Sequence, residues 1–302
     1  MSEPCLYEQI KAGLKQLACR YPKLLRVSVR ARTADGRDLL EAVLGSTKSR
    51  YHILIQAAIH GREYMNSMLA MQQLKEALED YEDPLEQVCF HILPMTNPDG
   101  VVISQRGIRG IRDAGIRRGL ERCYQNDLRT GKAEMDREEY WKRWKANAHG
   151  VDLNRNFDSG WELFRGAAMP SSDHYKGAYP ASEPEVGAIL SAAKEYPLCC
   201  TISYHSSGNV VYWDYGCRGA VREQEIRLAQ LVGDVTGYEQ VSTIQDGQDS
   251  GGCSDYFVLE QGVPSVTIEN GAGECPLNLE EYPLIWSANR SLFQALAQFY
   301  TG

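Results

Sequence analysis

Histidine is scarce in this chain: 6 residues against 40 acidic and 32 basic ones. Any place where histidines gather with acids therefore carries information. No C-x-x-C pair occurs among the nine cysteines, and an odd number in a chain of 302 residues suits free thiols in a reducing cytoplasm better than a disulfide framework. No apolar run approaches the roughly 20 residues needed to span a bilayer. Near the start no basic segment leads into an uninterrupted apolar one, so no secretory signal is expected. Positive charge is not in excess either, and a net charge of −8 argues against nucleic acid or an anionic membrane as partner. The local exception is "RGIRGIRDAGIRRG" (106–119), where Arg106, Arg109, Arg112, Arg117 and Arg118 fall close together. That stretch reads as a solvated face or as a patch attracting anionic substrates. Internal repeats, low-complexity segments and linkers are lacking as well, which favours one cytoplasmic domain with a full core of its own.

What is present is an alternation of two patterns. "LLRVSVRARTADGRDLLEAVLG" alternates, turns at Asp35-Gly36 and alternates again, as a hairpin does. "HILIQAAI", "VCFHILPM", "LCCTISYH" and "VPSVTIEN" are apolar runs of strand length. Between them lie segments of helical spacing: residues 6–19, "MNSMLAMQQLKEALEDY", "EVGAILSAAKEY", "AVREQEIRLAQLVGDVTG" and a terminal helix "YPLIWSANRSLFQALAQFY". Buried strands interleaved with amphipathic helices imply an α/β fold with a largely parallel sheet covered on both faces. "NPDG" reads as a turn closing one strand. Residues 101–147 are polar and charged, with "EMDREEYWKRWKAN" helical. They read as an excursion from a domain spanning 1–302, with too few apolar residues for a core of their own.

In such a sheet ligands gather beyond the carboxyl ends of the strands. The four runs end at His60, Asn97, His205 and Glu269, so the fold would bring these residues to one rim. His60 and Glu63, in "IHGRE", are weak evidence alone, because a helix start also favours an acid. Adding His205 gives two imidazoles and a carboxylate, the ligand set of a catalytic zinc site with one position left open. Glu269 is then the candidate base for a water molecule and the acid for a leaving nitrogen. "GVDLNRNFD" supplies Arg155, whose planar fork suits a carboxylate, Asn154 as a donor beside it, and Asp152 as an acceptor for a ligand imidazole. A capped turn explains the same residues without chemistry.

"HGRE", "NPDG", "GVDLNRNF", "SYHSSG", "GGCSDYF" and "SVTIENG" occur in the order and character of the zinc carboxypeptidases, and over nearly its whole length the chain resembles that family. The resemblance implies about eight strands in a mixed sheet and one Zn2+ held by His60, Glu63 and His205. It also implies Glu269 as general base and acid, Asn154 and Arg155 on the substrate's terminal carboxylate, Asp152 behind a zinc-bound imidazole, and Arg62 at a subsite. Two departures stand out. Where the family has an arginine that steadies the oxyanion, "WKAN" places Lys145, a point charge without the fork. The family's mobile tyrosine has no counterpart in "TIQDGQDSGGCSDYF", so that contact is absent or supplied elsewhere. Ser254 matches the residue at the pocket floor and suggests a polar substrate side chain, a zwitterionic one included. "WKAN" ahead of "GVDLN", and "YHSSGNVVYW", look more like the bacterial branch that cleaves γ-D-glutamyl-diaminopimelate bonds. The expected partner is a peptide with a free carboxylate, and the expected setting is recycling of murein peptides. The alternatives are a carboxypeptidase acting on α-peptides, an inactive peptide-binding relative, and a deacylase on a related scaffold.

Overall fold

The computed structural model describes residues 6–80, 87–245 and 251–302. The expected hairpin forms from β1 (Leu25–Arg32) and β2 (Asp38–Leu44), paired antiparallel. Its turn passes through Gly36 at φ 75°, the left-handed region that a residue without Cβ enters at no steric cost. The four apolar runs become β3 (Tyr51–Ala57), β4 (Val88–Leu93), β5 (Leu198–His205) and β8 (Ser265–Glu269). Two short strands, β6 (Val210–Trp213) and β7 (Glu239–Ser242), complete an eight-stranded sheet ordered β1-β2-β4-β3-β5-β8-β6-β7. Neighbours within β4-β3-β5-β8 run parallel, and antiparallel β2 and β6 flank that block. β6 and β7 were not legible in the sequence: four residues each, they lack a long apolar run.

Both faces are covered. On one, α1 (Leu6–Arg20), α2 (Met65–Asp80), α7 (Gly219–Thr236), α9 (Tyr282–Asn289) and α10 (Leu292–Thr301) bury residues such as Leu14, Leu69, Leu228 and Leu296 against the sheet. On the other, α6 (Pro184–Glu195) packs Val186 and Ile189 against Leu54, Leu153, Phe157 and Phe257. Each such side chain contributes roughly 1.5–3 kcal/mol of transfer free energy.

Three expectations need correction. "NPDG" is not a turn but a helix start: Asn97 caps α3 (Pro98–Arg106), accepting from Gly100 N at 2.8 Å, with Pro98 in the first turn where a missing N–H costs nothing. The terminal segment is two helices, α9 and α10, separated at Arg290-Ser291. The region 101–147 does have apolar packing of its own. Across α3, α4 (Ala114–Arg129) and α5 (Arg137–Lys142), a cluster joins Ile103, Ile111, Leu120, Tyr140, Trp141 and Trp144. A few aromatics supplied the area that a count of apolar residues underrated.

Candidate active site

β3 stops at Ala57, but the backbone amides of Thr96 and Asn97 still bond to the Ala57 and Ala58 carbonyls. The chain then leaves the sheet through Ala58, at φ 51°, into a single 3-10 turn, Gly61–Glu63, just before α2. That turn puts His60 and Glu63 on one side, with His60 Nδ1 2.9 Å from Glu63 Oε1. A fixed wall holds the turn in place. Gly61 N bonds to Lys145 O at 2.9 Å, and Asn97 Nδ2 donates to Ile59 O and Ala146 O at 3.1 Å each. A Cβ on Gly61 would lie 2.4 Å from the Gly100 carbonyl, so only glycine permits this approach. Asn97, expected at the rim, is there as a brace.

β5 delivers His205 from the neighbouring strand, its Nδ1 3.2 Å from Glu63 Oε2. One donor atom from each of His60, Glu63 and His205 lies within 4.8 Å of the other two, and all three residues are buried. The set fits zinc: two imidazoles, one carboxylate, and a second carboxylate behind one ring, where Asp152 Oδ1 stands 3.2 Å from His60 Nε2. Burial works against ionisation of Glu63, yet the two imidazoles hold its carboxyl well below the usual range.

Asp152 is fully buried, and burial again opposes its charge, but Lys145 and His60 keep it ionised far below the ordinary carboxylate value. Lys145 Nζ lies 3.6 Å from Asp152 Oδ2, and His174 N donates to the same oxygen at 3.1 Å. Glu269 ends β8 directly beside His205 in the strand register. Burial pushes its carboxyl up to about 7, with Glu63 adding to the rise and His205, Lys145 and Arg62 opposing it. A carboxylate at that value is a far better proton acceptor near neutrality than a solvated one.

A family model for zinc carboxypeptidases matches residues 10–285. The chain belongs to the zinc carboxypeptidase family. As a member it is a zinc metallopeptidase with the family's α/β fold. Over 302 aligned residues it is 25% identical to a γ-D-glutamyl-L-diamino acid endopeptidase of Lysinibacillus sphaericus, covering 96% of this chain and 71% of that one. Among solved structures it resembles bovine thrombin-activatable fibrinolysis inhibitor, with a TM-score of 0.72, 21% identity and coverage of 97% and 94%. A murein-tripeptide amidase from Escherichia coli O157 superimposes at a TM-score of 0.53 with 17% identity, covering 92% of this chain and 97% of that one.

Beside the carboxypeptidase centre opens a cavity of about 730 Å³, with Glu269 on its wall. Asn154, Arg155 and Ser254 line it. Asn154 also ties two loops together, its Oδ1 accepting from Cys253 N at 2.8 Å. Ser254 is buried, its hydroxyl 3.0 Å from Thr267 Oγ1. Arg62 lies next to Glu269, with Nε buried and no hydrogen-bond partner among the described residues. The stretch in which the family's mobile tyrosine was sought falls partly on residues 246–250, outside the described ones.

Several lining residues escaped the sequence reading: Tyr215, Arg218, Arg222 and Asp255. Tyr215 sits just past β6, bonded through its hydroxyl to Tyr212 O at 3.1 Å and Thr267 Oγ1 at 3.0 Å. Missing β6 meant missing Tyr215, which follows it. A buried amide ladder was also overlooked. Asn289 donates to Asn270 at 2.7 Å, Asn270 to Asn66 at 3.0 Å, and Asn66 to the Ser206 hydroxyl at 3.1 Å. Ser206 N in turn donates to Glu63 Oε2 at 3.2 Å. The ladder anchors a metal-facing carboxylate through a chain of buried polar groups. Three asparagines scattered over more than two hundred positions gave no local signal.

Proposed function

We propose that this zinc peptidase hydrolyses an amide next to a carboxylate-bearing residue, and that its substrate is the γ-D-glutamyl-diaminopimelate bond of murein peptides. His60, Glu63 and His205 would hold the zinc. When bound, the ion polarises a carbonyl and makes water more acidic. Glu269 accepts a proton from the attacking water and returns it to the leaving nitrogen. Lys145 faces the developing oxyanion with a positive charge that Asp152 keeps in place. Asp152 also fixes the tautomer and tilt of the His60 ring. Arg155 with Asn154, and Arg62 from the other side, receive the substrate carboxylate.

One observation carries the substrate assignment. The cavity beside Glu269 is lined by both signs of charge, Arg155, Arg218, Arg222 and Asp255, together with the Ser254 hydroxyl. An aromatic or aliphatic side chain would make no polar contact with these groups. A side chain ending in an ammonium and a carboxylate, as in diaminopimelate, complements them. The γ-D-glutamyl-L-diamino acid endopeptidase of Lysinibacillus sphaericus supports the same reading. All eight described cysteines are free thiols, in keeping with a cytoplasmic enzyme that recycles imported wall peptides.

The test is product analysis. Incubation with a γ-D-glutamyl-diaminopimelate tripeptide is expected to release diaminopimelate, with kcat/KM at least a hundredfold above that for a hippuryl α-peptide. Turnover of the α-peptide alone would make the enzyme an ordinary carboxypeptidase.

A further inference from the structure

A second group of histidines lies at the opposite end of the strands, on the sheet face covered by α6. His52 stands near the start of β3, Cys89 and His91 on β4, and Glu41 on β2. His52 is 2% exposed and the other three are fully buried. His52 Nδ1 is 3.0 Å from His91 Nε2, and one donor atom from each of His52, Cys89 and His91 lies within 4.8 Å of the other two.

The outer contacts determine what this inner contact means. His91 Nδ1 faces Glu41 Oε1 at 3.0 Å, an acceptor that takes the imidazole N–H. The His52 ring hydrogen-bonds the Ser49 backbone; with Nδ1 turned to His91, the nitrogen left for that carbonyl is Nε2. Both rings thus direct their N–H outward, and two lone pairs meet at 3.0 Å. Such a contact repels unless a cation joins it. Arg30 bonds the fully buried Glu41 and the exposed Glu195, each at 2.5 Å, which holds the Glu41 carboxylate in place behind His91. The Tyr196 ring stacks on both imidazoles, its centroid 4.9 Å from that of His52 and 4.2 Å from that of His91, and closes the cluster on one side.

We propose that His52, Cys89 and His91 form a second, structural metal site, taking zinc and joining β3 to β4, separate from the catalytic centre. Two imidazoles and a thiolate are ligands zinc prefers, and a carboxylate behind one imidazole is the usual outer support. Binding displaces the Cys89 thiol proton to solvent, so the thiolate–zinc unit forms with loss of one H+.

The test uses the purified full chain. Elemental analysis is expected to find two zinc ions per chain in the wild type and one in Cys89→Ser, with peptide hydrolysis retained. Cobalt-loaded wild type should show ultraviolet thiolate-to-cobalt charge-transfer absorption, which His60, Glu63 and His205 cannot give. Cys275→Ser, a control for the thiol near Glu63, should keep that band and Cys89→Ser should lose it. If Cys89→Ser fails to fold, the wild-type spectrum decides alone. One zinc per chain with no such band in the cobalt protein would overturn the proposal, and a proton shared by His52 and His91 would then join the two rings.

Discussion

Glu269 sits where two opposing demands on one carboxylate meet. It must be ionised to accept a proton, yet basic enough to hold it until the leaving nitrogen needs it. Burial raises its affinity for the proton, while His205, Lys145 and Arg62 keep the charged form accessible. Glu269→Gln keeps the shape and removes the proton chemistry. We expect kcat to fall roughly 10²–10⁴-fold while zinc content stays unchanged, measured by steady-state kinetics and elemental analysis on the same preparation. A fall in zinc content of equal size would mean that Glu269 is a ligand and not the base. The contrast with Asp152 is instructive. Glu269 is half-buried on the cavity wall, whereas Asp152 is fully buried, lies against Lys145 and His60 and stays ionised well below the ordinary range, which suits a fixed support and not a proton carrier.

At the scale of elements, loop junctions do as much as strands. Gly61, Gly100 and Ala146 meet so closely that a Cβ on Gly100 would lie 2.5 Å from Ala146 O, which is how α3 clamps the turn bearing His60 and Glu63. The start of α6 carries a different kind of cost. Glu185 is fully buried; Asn147 Nδ2 is 3.3 Å from its Oε2, and burial pushes its carboxyl up to about 8. The folded state therefore holds a proton that the unfolded chain gives up near its ordinary value of 4.5. Between those two values the native state binds more protons, so stability falls as pH rises, by at most about 1.4 kcal/mol per pH unit for one group. Glu185→Gln should flatten that slope and leave the protein more stable than wild type at pH 8, as read from urea midpoints across pH 5–9. An unchanged slope would show that Glu185 is ionised in the fold. Elements with strong periodicity were legible in the sequence: the hairpin, the four apolar strands and α7 with Gly237 after its end. β6 and β7 were not, because short strands on the flank of a sheet owe their existence to neighbours. The packing of Trp141 and Trp144 under α4 was missed because aromatic area is not counted by runs.

At the scale of the whole molecule, the fold gathers residues from distant segments to one rim. His60, Lys145, Asp152, His205 and Glu269 could be named from the sequence because each ends an apolar run or falls in a motif resembling a known family. The amide ladder from Asn289 to Ser206 and the charged cavity wall could not be named, since pairing across the sheet leaves no local trace. None of the described helices is long and apolar enough to cross a membrane. Whether one zinc ion is held by His60, Glu63 and His205 is tested most directly by a crystal of the zinc-loaded protein with an anomalous difference map at the zinc edge. We predict a peak enclosed by His60 Nδ1, Glu63 and His205 Nδ1, beside Glu269; zinc bound elsewhere, with these three side chains hydrogen-bonded only to water or to one another, would contradict it.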